Sequence, residues 1–211
     1  MIRTTAMALL LAATFNVNAA DKAPAKADPA KAKPIVEAVC AGCHGIDGNS
    51  PAAPNPNLAG QGADYLAKQL LNYKSIGDKP PLRDNPIMAG MAAMVPDEDV
   101  AHFAAYFSQQ KLKPAAAKDE KLAAEGQKLW RMGNYAKGIP ACSGCHGPTG
   151  AGLPAQYPAL AGQYQEYTED QLNKFRSGER ANDPEKMMRI IAAKLSDTEI
   201  KALAEYIAGL R

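Results

Sequence analysis

Residues 40–48 read "CAGCHGIDG" and residues 142–150 read "CSGCHGPTG". Each stretch holds a Cys-x-x-Cys-His motif, and together they contain all four cysteines of the 211-residue chain. Four chemistries compete for such a motif. A structural zinc site needs four ligands, with paired knuckles about 12–20 residues apart; here 98 residues separate Cys43 from Cys142. A thioredoxin-like dithiol needs a strand leading into the motif and a parallel sheet around it, and no strand pattern is present. A plain disulfide accounts for the cysteines but leaves their constant spacing to a histidine, twice over, unexplained. Covalent haem attachment uses all three positions: two thiols add across the vinyl groups as thioethers, and the adjacent histidine is aimed at the iron. Cys40, Cys43, Cys142 and Cys145 are therefore read as thioether positions of two haem c groups, and His44 and His146 as axial iron ligands.

The repeat extends well beyond the motifs. "NPNLAGQGADYLAKQL" (55–70) matches "YPALAGQYQEYTEDQL" (157–172) at a constant offset of 102. Further on, "PDEDVAHFAAYF" falls on "SDTEIKALAEYI" at an offset of 100, so one loop is read as two residues shorter in the second half. This is an internal duplication. Both copies read as helical. Val100, Phe103, Ala104 and Phe107 share one face, as do Ile200, Leu203, Ala204 and Ile207 behind an N-cap at Ser196. The expected fold class is all-α, with two tandem small helical bundles, each around one covalent haem. Segments of about 80 residues bury little surface alone; a haem supplies the missing core.

"MIRTTAMALLLAATFNVNAA" reads as a signal peptide over 1–20, too short in its apolar run to span a bilayer. A Lys-, Ala- and Pro-rich disordered leader is expected at 21–34, a first domain at 35–110, a linker at 111–119 and a second domain at 120–211. Removing the signal leaves 23 basic against 22 acidic side chains, a balance that does not point to nucleic acid. Export fits haem attachment, which takes place outside the cytoplasm.

An electron carrier needs a sixth iron ligand, and methionine is the usual partner of histidine. At the offset of 100, Met88 falls on Met188, Met91 on Ile191 and Met94 on Lys194. Met88 and Met188 are thus the expected axial ligands, Met91 a core residue and Met94 an edge residue. Shifting the gap by one would promote Met187 instead. Pro56 and Pro158 open the paired Pro-x-Leu-Ala-Gly-Gln segments, where a carbonyl accepting the imidazole N–H would fix the ring; loop stiffening is the alternative. His102, which falls on Ala202, is expected to be a solvated helix residue.

The two Cys-x-x-Cys-His-Gly motifs, both Leu-Ala-Gly-Gln segments, "PIMAGM", "RIIAAKLSDTEI" and the terminal Tyr-containing helices together resemble the cytochromes c4, dihaem class I cytochromes c of bacterial periplasms. The resemblance runs from about Val36 to Leu210. It implies two class I cytochrome c domains packed about a pseudo-twofold axis with haem propionates near the interface. It also implies His/Met ligation by His44 with Met88 and His146 with Met188, and electron delivery to a terminal oxidase or similar periplasmic acceptor. The expected partners are redox proteins, with peripheral membrane association left open. Two competing functions are the cytochrome subunit of a multi-chain dehydrogenase, such as a sulfide-oxidising flavocytochrome c, and a dihaem peroxidase. The peroxidase needs an open iron position, whereas a methionine is available for each haem.

Overall fold

A computed structural model describes residues 27–113 and 115–210. The expected signal peptide, 1–20, and the leader up to residue 26 lie outside the described residues. Helix is found where the composition suggests none. Asp28 caps a helix, α1 (Pro29–Ile35), by accepting from Ala30 N, with Pro29 in the first turn where its missing N–H costs nothing. Ala32 is buried in the first core. The leader expected to be disordered to residue 34 is therefore helical over its last six positions, because a cap and one buried small side chain outweigh the Lys/Pro composition. His102 corrects a second expectation. Its Nδ1 accepts from Asp28 N at 2.9 Å, so it ties α1 to the closing helix of the first half rather than facing solvent alone.

Pro34 lies within α1 and cannot donate to the turn before it. The chain widens just after it into a π-helical turn, Val36–Cys40, and then enters α2 (Ala41–His44). After the histidine loop come α3 (Ala63–Asn72), α4 (Pro86–Ala93) and α5 (Val100–Ser108). Val36, Leu66, Leu70, Val100, Phe103 and Phe107 form the core these helices share.

The second half repeats the plan with α6 (Glu120–Met132), α7 (Ser143–His146), α8 (Gln165–Ser177), α9 (Met187–Ala192) and α10 (Asp197–Gly209). Its core gathers Leu129, Trp130, Leu172, Ile200, Leu203 and Ile207. α6 crosses α10 at Gly126, where an added Cβ would lie 2.0 Å from Ala202 O. No strand occurs among the described residues, only isolated bridges such as Asn134 with Ile139. The all-α, two-domain architecture read from the sequence is the one found.

The halves anchor their histidine loops alike. Gly60 N donates to Phe107 O at 3.0 Å and Gly162 N to Ile207 O at 2.9 Å, fastening each histidine loop to its last helix. The segment between the halves is tied to both. Asn49 bonds Lys111 O and Lys113 N in the first, and Glu205 accepts from Lys118 N and Asp119 N in the second. Backbone bonds also revise the alignment. Arg83 N donates to Asn72 O at 2.9 Å, and Arg180 N donates to Lys174 O at 3.0 Å. Arg83 and Arg180 are therefore counterparts at an offset of 97. The loop is shortened before the arginine and lengthened after it, and only the net difference is two residues.

Candidate functional site

Each motif ends a helical segment on its histidine and turns at a glycine. Gly45 adopts φ +75°, and a Cβ there would lie 2.3 Å from Asn49 O, so the turn requires glycine. His44 and His146 are each 7% exposed. Their Nδ1 atoms lie 2.9 Å from Pro56 O and 3.0 Å from Pro158 O. A carbonyl only accepts, so the imidazole donates its N–H there and the other nitrogen, Nε2, keeps its lone pair. Burial holds both imidazoles below their ordinary pKa, with the proline carbonyls opposing more weakly. A neutral ring with a fixed tautomer is the form that binds a metal.

The four cysteines carry no disulfide. Burial, with the neighbouring Cys43 second, pushes the Cys40 thiol up to about 11, and burial likewise pushes Cys142 up to about 11. These are neutral thiols beside apolar side chains, suited to a covalent partner that is itself apolar. Met88 packs against the cluster that includes Cys40, and Met188 against the one that Cys142 joins. Each half thus sets one thiol and one thioether at an apolar cluster, with the second thiol and a buried neutral imidazole following within four residues along the chain, and that donor set fits a haem. The two methionine turns are built differently. Asn85 caps α4 by accepting from Met88 N at 3.0 Å, whereas Asp183 accepts from Arg189 N and pairs with its Nε at 2.7 Å. Met91, expected in the core, is 37% exposed, because α4 is apolar on every side and its pattern selects no inward face. Met187 lies with its Sδ 4.0 Å from the Tyr157 hydroxyl.

The structure gives roles to residues to which the sequence assigned none. Gln61 Nε2 donates to Ala159 O at 2.8 Å, and its Oε1 accepts from Ala159 N at 2.9 Å. Gln163 grips Asn57 in the same way, at 3.0 Å to both its N and its O. Each glutamine thus holds the residue that follows the other half's histidine-binding proline. Beyond this clamp, Arg83 reaches Tyr167 OH and Gln171 of the second half, and Arg180 reaches Tyr65 OH and Gln69 of the first. The paired Tyr and Gln positions were visible as repeats in the sequence. The arginines were not, since their offset differs from the rest.

The cytochrome c family pattern matches residues 29–111 and again 123–211. Cytochrome c4 of Thiocapsa roseopersicina is 45% identical over 89% of this chain and 95% of its own length. The chain belongs to the cytochrome c4 family. A crystal structure of reduced recombinant cytochrome c4 from Pseudomonas stutzeri superposes with a TM-score of 0.82 at 45% identity, covering 88% of this chain and 100% of that one. The thiosulfate dehydrogenase electron acceptor of Thiomonas intermedia is 39% identical over 84% of this chain and 81% of its own length. As a cytochrome c4, the chain is a dihaem electron-transfer protein rather than an enzyme, with one covalent haem c per domain and redox proteins as partners.

Proposed function

We propose that Cys40 and Cys43 carry one haem and Cys142 and Cys145 the other, with His44 and Met88 on the first iron and His146 and Met188 on the second. Pro56 and Pro158 orient the two imidazoles. The observation that carries this reading is the matched pair of Nδ1 to proline-carbonyl bonds, each beside an apolar cluster containing one cysteine and one methionine. The bound haem supplies a one-electron Fe(III)/Fe(II) couple. The chain contributes the rest: the prolines hold the Nε2 lone pairs on line, burial keeps the imidazoles neutral, and the thioethers raise the potential relative to a second histidine.

The proposed role is a periplasmic shuttle, exported by the signal peptide at 1–20, between a respiratory donor and a terminal oxidase or similar acceptor. The Thiomonas relative favours a second reading of the donor side, in which a periplasmic dehydrogenase of the thiosulfate type hands electrons to this chain. Docking in either case would be transient and partly electrostatic.

Met88→Ala and Met188→Ala should each remove half of the Met-to-iron charge-transfer absorbance, and Met187→Ala should leave it whole. Loss on Met187→Ala in place of Met188→Ala would move the second ligand by one residue. Mass spectrometry should find two haems on a chain lacking residues 1–20.

A further inference from the structure

Between the end of α6 and Cys142 the chain makes a turn, residues 133–141, that has no counterpart in the first half, where α1 and its π-helical turn run directly into Cys40. The turn is fastened at several points. Ile139 is buried in the second core, and Asn134 Oδ1 accepts from Lys137 N at 3.3 Å. Glu199 of α10 accepts from Asn134 Nδ2 at 3.3 Å and pairs with Lys137 Nζ at 2.7 Å. Lys194 Nζ donates to Gly138 O at 2.8 Å. Yet the side chains this turn carries outward bury little: Tyr135 is 100% exposed, and Met132, the last residue of α6, is 70% exposed.

A phenol ring left wholly in water on a fixed backbone adds nothing to the fold. It is, however, ready for a partner, because the ordering cost of docking is already met and an aromatic ring and a thioether are the side chains interface centres favour. The turn also ends at the first cysteine of the second motif, so whatever docks there is brought to that haem site rather than the first.

Charge identifies the partner. From Gly126 to Gln165 the chain holds Lys128, Arg131 and Lys137 and neither Asp nor Glu. Two carboxylates from outside that stretch answer two of these cations, Glu125 on Lys128 and Glu199 on Lys137. Arg131 and Lys194 have no counter-charge among the described residues. Around the first motif the sign is reversed. Residues 34–67 hold Glu37, Asp47 and Asp64 and neither Lys nor Arg; Lys33 and Lys113 answer the first two, and Asp64 is left over. An apolar tip with surplus cations beside it complements an acidic face with an apolar centre, and the first motif's surroundings would repel the same face.

We propose that the 133–141 turn, presenting Tyr135 and Met132 and flanked by Arg131 and Lys194, is a docking surface for an acidic redox protein, which exchanges electrons with the second haem. One electron passes per encounter: the partner's centre is oxidised as the second iron goes from Fe(III) to Fe(II), or the reverse. This rests on the two-haem reading above. The two halves, alike in their proposed ligands, then differ in whom they meet.

Stopped-flow reduction of the oxidised dihaem protein by a reduced plant-type [2Fe–2S] ferredoxin, an acidic redox protein, tests it. Tyr135→Ala should lower the second-order rate constant about tenfold, the scale of one interface anchor. Arg131→Glu should lower it too and flatten its fall with added salt. Ile76→Ala, which removes a side chain 71% exposed in the first half, should change nothing. Equal loss on Ile76→Ala, or none on Tyr135→Ala, overturns the docking surface. Every variant should keep two haems by mass and the full Met-to-iron absorbance, so a failed docking site leaves the electron-carrier reading standing. Loss of that absorbance on Tyr135→Ala would overturn the proposal by making the turn a support of the haem site. A dimer of the unaltered protein in sedimentation, abolished by Tyr135→Ala, would also overturn it, by assigning the turn to a second copy of the chain. In the unaltered protein, added ferredoxin should slow hydrogen exchange in 131–138; protection confined to the first half would overturn the proposal as well.

Discussion

In the first half the chain enters its motif straight from a helix, α1 running through a π-helical turn into α2 and His44. In the second, α6 stops at Gly133, φ +67°, and eight more residues intervene before Cys142. That excursion is closed by Asn134 and Ile139, which exchange backbone bonds at 2.8 and 2.9 Å. Where the first half seals its histidine with continuous helix, the second uses aromatic rings. Trp130, fully buried, donates to Pro148 O at 3.3 Å and lies 6.2 Å from the His146 ring, with Tyr157 at 6.3 Å on another side. Among the described residues no ring pairs with His44; the first half packs its aromatics edge-on within α5 instead. The same proposed ligands thus sit among different side chains, and burial, nearby charge and hydrogen bonding around them set any difference in potential between the haems.

Removing the second half's seal should break this comparison most severely. Trp130→Ala should cost about 3–5 kcal/mol, the usual penalty for emptying a large aromatic site. Hydrogen exchange should show the loss in α6 and α10 with α1 and α5 little changed; equal loss in both halves would mean they do not differ in this way. Gly126→Ala comes next. The new Cβ would meet Ala202 O and Tyr206, forcing the α6–α10 crossing apart for about 1–3 kcal/mol, measured as a lower denaturant midpoint.

A finer contrast lies at the last helices. Ser196 and Glu199 form a capping box on α10, whereas the equivalent Pro96 has no hydroxyl to offer. Ser196→Ala should cost about 1 kcal/mol, while Pro96→Ala should leave the cap of the first half as it is. Glu199 also binds Lys137 at 2.7 Å. Burial pushes its carboxyl up, but the Lys137 and Ser196 bonds outweigh it and bring it to about 2. Since the folded value is depressed, the stabilisation is present above the ordinary value of 4.5 and fades as pH falls toward 2. Glu199→Gln should flatten the acid limb of the stability curve in that window, and a limb unchanged by the substitution would place the titrating group elsewhere.

The motifs, their spacing and the repeat made the fold class and the candidate ligands legible, because covalent and metal chemistry leaves few residue types free to vary. The start of α1 was legible too, in Asp28 and Pro29, but a Lys/Ala/Pro tract masks a cap when judged by composition. Arg83 and Arg180 were hidden by arithmetic: two opposite length changes flank them, and only the bonds to Asn72 O and Lys174 O pair them. Met91 was misread because α4 lacks an apolar stripe. Trp130 had no counterpart to draw attention to it.

The exchanged glutamines set a limit on how the molecule can be divided. Gln61 and Gln163 each steady the stretch of chain on which the other half's imidazole leans. Neither half carries the whole support of its own histidine, so excising one would leave the survivor's ring with a looser anchor. The copies are repeated in sequence yet mutually dependent in construction, and the smallest intact working part is the pair.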